Sequence, residues 1–269
     1  MTRLAALAAL LCLAQAGCAP KKDHPPPAAN PCDGSSCVEP GPGGGGGAEG
    51  GVDAGGGDAS ADAPAGVSVS GSVVLLTGDD FATAAPFGES ATVAFEAPGG
   101  LWVQGNYNGS SFALDGVVEG PGVWSIVTPK SSSGALPTLQ PADTTKPPLE
   151  LAVVPTTTID TIYAFLSVPA QREPGAAHVV LRFLNAKTGF PVTGVTVSHQ
   201  GEPVAYDTGG SWSDTAPGSG VAGYAVVANV ASAKGPNKQS FKFTAPTASA
   251  GVYILVQPDS VTLADVLVD

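Results

Sequence analysis

Hydrophobic and polar positions divide the chain into three stretches of different rhythm. Leu4 to Ala14 is an unbroken apolar run. Residues 18–66 contain no Phe, Tyr or Trp and show no periodicity, only Pro25-Pro26-Pro27, Gly43 to Gly47 and Gly55-Gly56-Gly57 among scattered acids. From Val67 onward, short runs rich in Val, Ile, Thr and aromatic residues alternate with Gly, Pro and Asp, the pattern of strands punctuated by turns. A first set of runs is Val67–Leu76, Ala91–Glu96, Leu101–Val103, Ser111–Leu114, Gly122–Val127 and Leu149–Val154. A second is Val179–Leu184, Val195–Ser198, Val221–Val230, Ser240–Thr244, Val252–Val256 and Val261–Val268. Between the sets, Thr157–Leu166 has helical rhythm: Ile159, Ile162, Tyr163 and Leu166 fall at i, i+3, i+4 and i+7, and Thr157 with Asp160 has the spacing of a capping box.

Strands this short and numerous, with turn signals between them, predict an all-β protein of sandwich type. The expected organisation is a signal segment at 1–17, a disordered tether at 18–66, one small immunoglobulin-like sandwich at 67–156 and a second, in tandem, at 157–269. The second would open with a linker helix at 157–167.

The apolar run from Leu4 follows a positive residue, Arg3, and is too short to span a bilayer, which needs about 20 residues. It suits an export signal. Two cleavage readings compete. Ala14-Gln15-Ala16 is an A-x-A site and would release a soluble secreted protein. Ala16-Gly17-Cys18 resembles the lipobox of bacterial lipoproteins, with Gln15 where that family usually has Leu. The resemblance implies that Cys18 becomes a lipidated N-terminus, anchored in the cell envelope. It also implies, from Ala19 after the cysteine, the outer membrane rather than the inner. The cysteine count is consistent with this reading. Cys12 leaves with the signal, and acylating Cys18 leaves Cys32 and Cys37 as one pair in an oxidising compartment. Gly34 between them permits the tight turn a disulfide needs, and two unpaired thiols are the alternative.

The formal net charge is −12, and loss of Arg3 with the signal makes the mature chain more acidic still. Phosphate contacts need Lys and Arg, so nucleic acid is excluded as a partner. The 18–66 segment cannot bury enough apolar area to offset its ordering entropy. As a Gly-rich coil it reaches roughly 35–42 Å, enough to hold a domain clear of a membrane surface.

Two stretches resemble carboxypeptidase regulatory-like domains. Phe112-Ala-Leu114-Asp-Gly116-Val, followed by Pro121-Gly122 and the aromatic strand at Trp124, is similar to that family's second half. Gly189-Phe-Pro191-Val192-Thr-Gly194-Val195-Thr-Val197 is similar to its first half. The resemblance implies transthyretin-like (prealbumin-like) sandwiches that serve as spacer, adhesive or binding modules, and it carries over no catalytic residue. A general immunoglobulin-like fold is the alternative.

Residues that bear chemistry are sparse after the tether. His178 and His199 are the histidines there, and no cysteine follows Cys37. His199-Gln-Gly-Glu202 fits the H-x-x-E opening of a carboxypeptidase zinc site, but no histidine follows it, and it reads as a turn between strands. No G-x-S-x-G elbow occurs. The most site-like loop is Asp207-Thr-Gly-Gly-Ser-Trp212-Ser-Asp214, whose carboxylates Asp207 and Asp214 are weak candidates for holding calcium, which takes six to eight oxygens. Otherwise no cofactor is expected. Trp102, Tyr107 and Trp124 are expected to fill the core, with a sugar-stacking face as the alternative. The expectation is therefore a non-enzymatic envelope lipoprotein, held to the membrane by its anchor, that binds a protein or carbohydrate ligand or acts as a spacer. The rivals are a secreted carbohydrate-binding module and the scaffold of a hydrolase.

Overall fold

The structure, a computed structural model, describes residues 66–167 and 171–269. The signal segment, the tether and Cys18, Cys32 and Cys37 lie outside the described residues.

The first set of strands comprises β1 (Val67–Leu76), β2 (Ala84–Pro86), β3 (Ala91–Ala97), β4 (Leu101–Tyr107), β5 (Phe112–Val117), β6 (Val123–Pro129), β7 (Ala135–Leu136), β8 (Thr138–Ala142) and β9 (Leu149–Pro155). Helix α1 (Thr156–Tyr163) follows. The second set comprises β10 (Ala176–Asn185), β11 (Thr196–Ser198), β12 (Val204–Asp207), β13 (Trp212–Ser213), β14 (Tyr224–Ala231), β15 (Asn237–Thr244), β16 (Ser249–Val256) and β17 (Val261–Val268).

The fold is an all-β, sandwich-like one. A nine-stranded sheet in the order β13-β12-β14-β10-β17-β8-β6-β3-β4 draws strands from both sets. Its two halves meet where Val261 and Thr262 of β17 pair in parallel with Thr138 and Leu139 of β8. A five-stranded sheet (β1, β2, β5, β7, β9) forms from the first set and a three-stranded sheet (β11-β15-β16) from the second. The division expected at 156/157 is therefore crossed by one continuous sheet, and the described residues fall in a single compact unit.

Alternation along the central strands sends successive side chains to opposite faces. Val93 and Phe95 of β3 and Val127 of β6 join Val73, Phe112 and Leu151 of the five-stranded sheet in one core. Val179, Leu181 and Phe183 of β10 join Phe241 and Ile254 of the three-stranded sheet in another. On β10 the residue between, Val180, faces away from that core and packs with α1 and with Leu76 and Val154 of the five-stranded sheet. The two side sheets thus cover opposite faces of the shared sheet.

The helix forms where expected and buries the expected face: Ile159, Ile162 and Tyr163 are at most 1% exposed, and Leu166 lies buried just beyond the helix end. Its start differs. Pro155 occupies the N-cap and no side chain caps the helix, because proline's fixed φ already suits that position. Asp160, free of a capping role, pairs with Arg172 at 2.7 Å. Close backbone approach sets one residue choice in β1. A Cβ on Gly71 would stand 2.0 Å from the Leu149 carbonyl oxygen, so the parallel pairing of β1 with β9 requires glycine there.

Candidate functional site

Asp207 ends β12 and is buried. Its Oδ2 accepts the backbone N–H groups of Gly220 (3.0 Å) and Tyr224 (2.7 Å), and its Oδ1 accepts that of Ala222 (3.2 Å). A Cβ on Gly220 would meet the Asp207 carbonyl oxygen at 2.3 Å, so the 220–224 segment folds directly over the carboxylate. Asp214 takes a different partner: its Oδ2 accepts from the N–H and the hydroxyl of Ser167, at 2.7 and 2.5 Å, just beyond α1. The Ser167 hydroxyl holds the Asp214 carboxyl below its ordinary range. The two carboxylates share a loop, and each is engaged by its own internal donors. Among the described residues, no group of three or more His, Cys, Asp or Glu side chains is placed to hold a metal ion.

Beside Asp207 lies a cavity of about 280 Å³, lined by Asp79, Asp80, Trp212, Val221 and Tyr224 among others. Its floor is built across the two strand sets. Trp212 Nε1 donates to the Asp79 carbonyl at 3.1 Å, and Phe81 packs edge-on against Trp212 with centroids 6.0 Å apart. The cavity thus sits over the aromatic contact that joins the β1–β2 loop to β13. Burial pushes the Tyr224 hydroxyl up to about 12.

Both histidines of this region are internal. His178 is 2% exposed, and its Nδ1 meets the Tyr163 hydroxyl at 2.6 Å. That hydroxyl also accepts the Asn229 N–H at 2.9 Å, where β14 carries a bulge opposite Ala177 and Val179 and Asn229 adopts φ 52°. The Tyr163–His178–Asn229 group therefore satisfies a break in the ladder and ties α1 to the sheet. Burial holds His178 down to about 4 and raises Tyr163. His199 begins the expected turn, in which the Glu202 N–H bonds the His199 carbonyl at 3.0 Å. Its ring is buried, stacked on Phe241 at 4.2 Å, with Nδ1 3.0 Å from the Ser240 carbonyl. That contact assigns the proton to Nδ1.

The aromatic residues divide. Tyr107 fills the core as expected, its hydroxyl donating to the Phe87 carbonyl at 2.6 Å. Trp102 and Trp124 do not enter that core. Trp102 pairs across strands with Glu96 in β3, whereas the β3–β6 pairing ends at Phe95↔Ser125 and the Glu96 carbonyl accepts the Val118 N–H instead. Glu96 Oε2 accepts the Trp124 N–H at 3.3 Å. Alternation explains the placement: Val123, Ser125 and Val127 point inward, so Trp124 and Ile126 point to the opposite face. There both tryptophans are half-buried and pack against the cluster of Ala94, Ile126, Leu139 and Leu255, and Trp124 also packs against the core under the three-stranded sheet. Exposed Gln104 and Asn106 continue the same face of β4. This aromatic row could have been anticipated from the pairing of a tryptophan strand with its neighbours, but the pattern alone does not say which of two apolar faces is covered.

No protein-family model and no curated protein matches the chain.

Proposed function

We propose that the chain is an exported lipoprotein that presents a β-sandwich binding module at the cell envelope and does not catalyse a reaction. The observation that carries this reading is the use made of the groups able to do chemistry. Tyr163 and His178 bond to each other and Asp207 and Asp214 accept from protein donors, while His199 is held through Nδ1 and its Nε2 and Glu202 Oε2 have no hydrogen-bond partner; Trp102 and Trp124 keep part of their surface exposed on one sheet face. The order of segments supports it: an export run, Cys18 in a lipobox-like context, an aromatic-free acidic tether, then the sandwich. The half-motifs at Phe112–Val117 and Gly189–Val197 favour the same class of module. Among the described residues no helix is long and apolar enough to cross a membrane. The reading assigns attachment to Cys18 from the lipobox-like Ala16-Gly17-Cys18. Fractionation of cells producing wild type and Cys18→Ser, with and without an inhibitor of lipoprotein processing, tests the anchor. Lipid labelling and membrane association should vanish in the variant. Wild-type protein cut after Ala16 and found in the soluble fraction would overturn it.

A further inference from the structure

We infer that the cavity beside Asp207 takes the lysine or arginine side chain of a partner protein. The inference deepens the binding-module reading and rests on it. At about 280 Å³ the cavity has room for one long side chain and falls at the low end of small-molecule sites, which run from about 300 to 1,000 Å³. Its lining is acidic and aromatic together. Asp79, Asp80 and Asp207 stand in it with Trp212 and Tyr224, and no Lys, Arg or His lines it. Tyr224 is nine-tenths buried, yet its hydroxyl has no hydrogen-bond partner among the described residues. That oxygen is not enclosed by protein as the unpartnered Arg182 Nε is, so it is left facing the cavity. The Asp79 carboxylate has no protein donor either, and Asp80 accepts through Oδ1 alone, from the Ala82 N–H.

These groups share one need: all are acceptors, and a donor that is also a cation satisfies them together. A guanidinium or ammonium group supplies several N–H donors, is attracted to carboxylates and packs on aromatic rings. Its aliphatic stem lies well along apolar surface, which Val221, 72% exposed at the cavity, provides. The protein already shows the aromatic part of this contact, because the Arg182 guanidinium stands 5.5 Å from the Tyr224 ring centroid. Arg182 does not line the cavity, and Asp265 lies opposite it across the β10–β17 pair, so its single charge does not offset Asp79 and Asp80. Position argues for a partner protein. β1 runs from Val67, where the 18–66 segment joins, to Leu76, and the Asp79–Asp80 loop follows. Ten residues of strand set the cavity roughly 30 Å from that junction, at the end of β1 turned away from it.

The test is NMR titration of the purified full chain, following the Trp212 indole N–H, whose signal is assigned by its loss in Trp212→Phe. The probes are blocked glycine pentapeptides with a central arginine or lysine, their citrulline and norleucine counterparts, and spermidine as a free polycation. The expected result is a saturable, salt-sensitive shift with both basic peptides and none with the neutral two. Asp79→Asn/Asp80→Asn should weaken binding about tenfold, and Tyr224→Phe about threefold. Both variants keep the backbone: Trp212 bonds the Asp79 main-chain carbonyl, and asparagine at position 80 still offers an oxygen to Ala82. Glu119→Gln/Glu150→Gln removes the same charge from exposed acids elsewhere and should leave affinity unchanged. Four results would overturn the inference: no shift with either basic peptide, equal shifts with the neutral peptides, affinity unchanged in the Asp79/Asp80 variant, or an equal loss in the Glu119/Glu150 variant. Spermidine binding more tightly than both peptides would make the occupant a free polyamine and overturn the partner. None of these results bears on lipid anchoring at Cys18, so the two readings fail separately.

Discussion

Asp207→Asn separates a structural carboxylate from an ion ligand. In the native loop the side chain accepts three backbone N–H groups, two at Oδ2 and one at Oδ1, at 2.7–3.2 Å in a buried site. Hydrogen bonds to a charged acceptor contribute about 1.5–3 kcal/mol each, and a buried donor left unmade costs about 1–3 kcal/mol. Asparagine can keep its oxygen where Gly220 and Tyr224 donate. Its amide nitrogen then faces the Ala222 N–H, donor against donor, and the remaining bonds lose their charge. The expected loss is about 3 kcal/mol, or roughly 6–12 °C of melting temperature for a unit of this size. Thermal unfolding followed by circular dichroism, with and without added calcium, reads it. The variant should melt lower and calcium should leave wild type unmoved. A loss below about 1 kcal/mol would refute the staple role. A calcium-dependent rise present in wild type and absent in the variant would make the loop an ion site.

Two further perturbations follow from the packing. His178 is held down to about 4 by burial, against an ordinary 6.5, so below pH 6.5 the unfolded chain binds a proton that the folded one does not. Stability should be full above pH 6.5, fall by roughly 3 kcal/mol as pH drops toward 4, and flatten below it; His178→Gln should remove that slope in urea titrations, and an unchanged slope would contradict the assignment. Gly71→Ala should destabilise by more than about 3 kcal/mol, since its Cβ would collide with the Leu149 carbonyl across the β1–β9 pair; near-native urea midpoints would refute this.

Much of the architecture is legible in the residue pattern, and the exceptions have physical reasons. β1 and β17 occupy the spans their β-branched runs mark, Val67–Leu76 and Val261–Val268. β8, Thr138–Ala142, gives no such signal: it is short and contains Pro141, yet it joins the two halves of the central sheet. The proline is tolerated because it lies past the two residues that pair with β17, where its missing N–H has no ladder partner to lose. The run at Val221–Val230 begins in a turn, and β14 starts at Tyr224, because the 220–224 segment is bound over Asp207. Trp124 reads as core, and it packs half-buried against the core under the three-stranded sheet; only the pairing shows that Val123 and Val127 take the face toward the five-stranded sheet. The expectation of Asp207 and Asp214 as calcium ligands rests on proximity in sequence; the fold gives both Asp207 oxygens to the 220–224 backbone and Asp214 Oδ2 to Ser167.

Turnover is the most direct test of the claim that this module binds and does not catalyse. Residues 66–269, which carry the described sheets, would be assayed against peptide, ester and glycoside substrates with calcium or zinc supplied, alongside Asp207→Asn/Asp214→Asn. The account predicts no turnover above the buffer rate for any substrate class. Turnover by wild type that disappears in the double variant would contradict it.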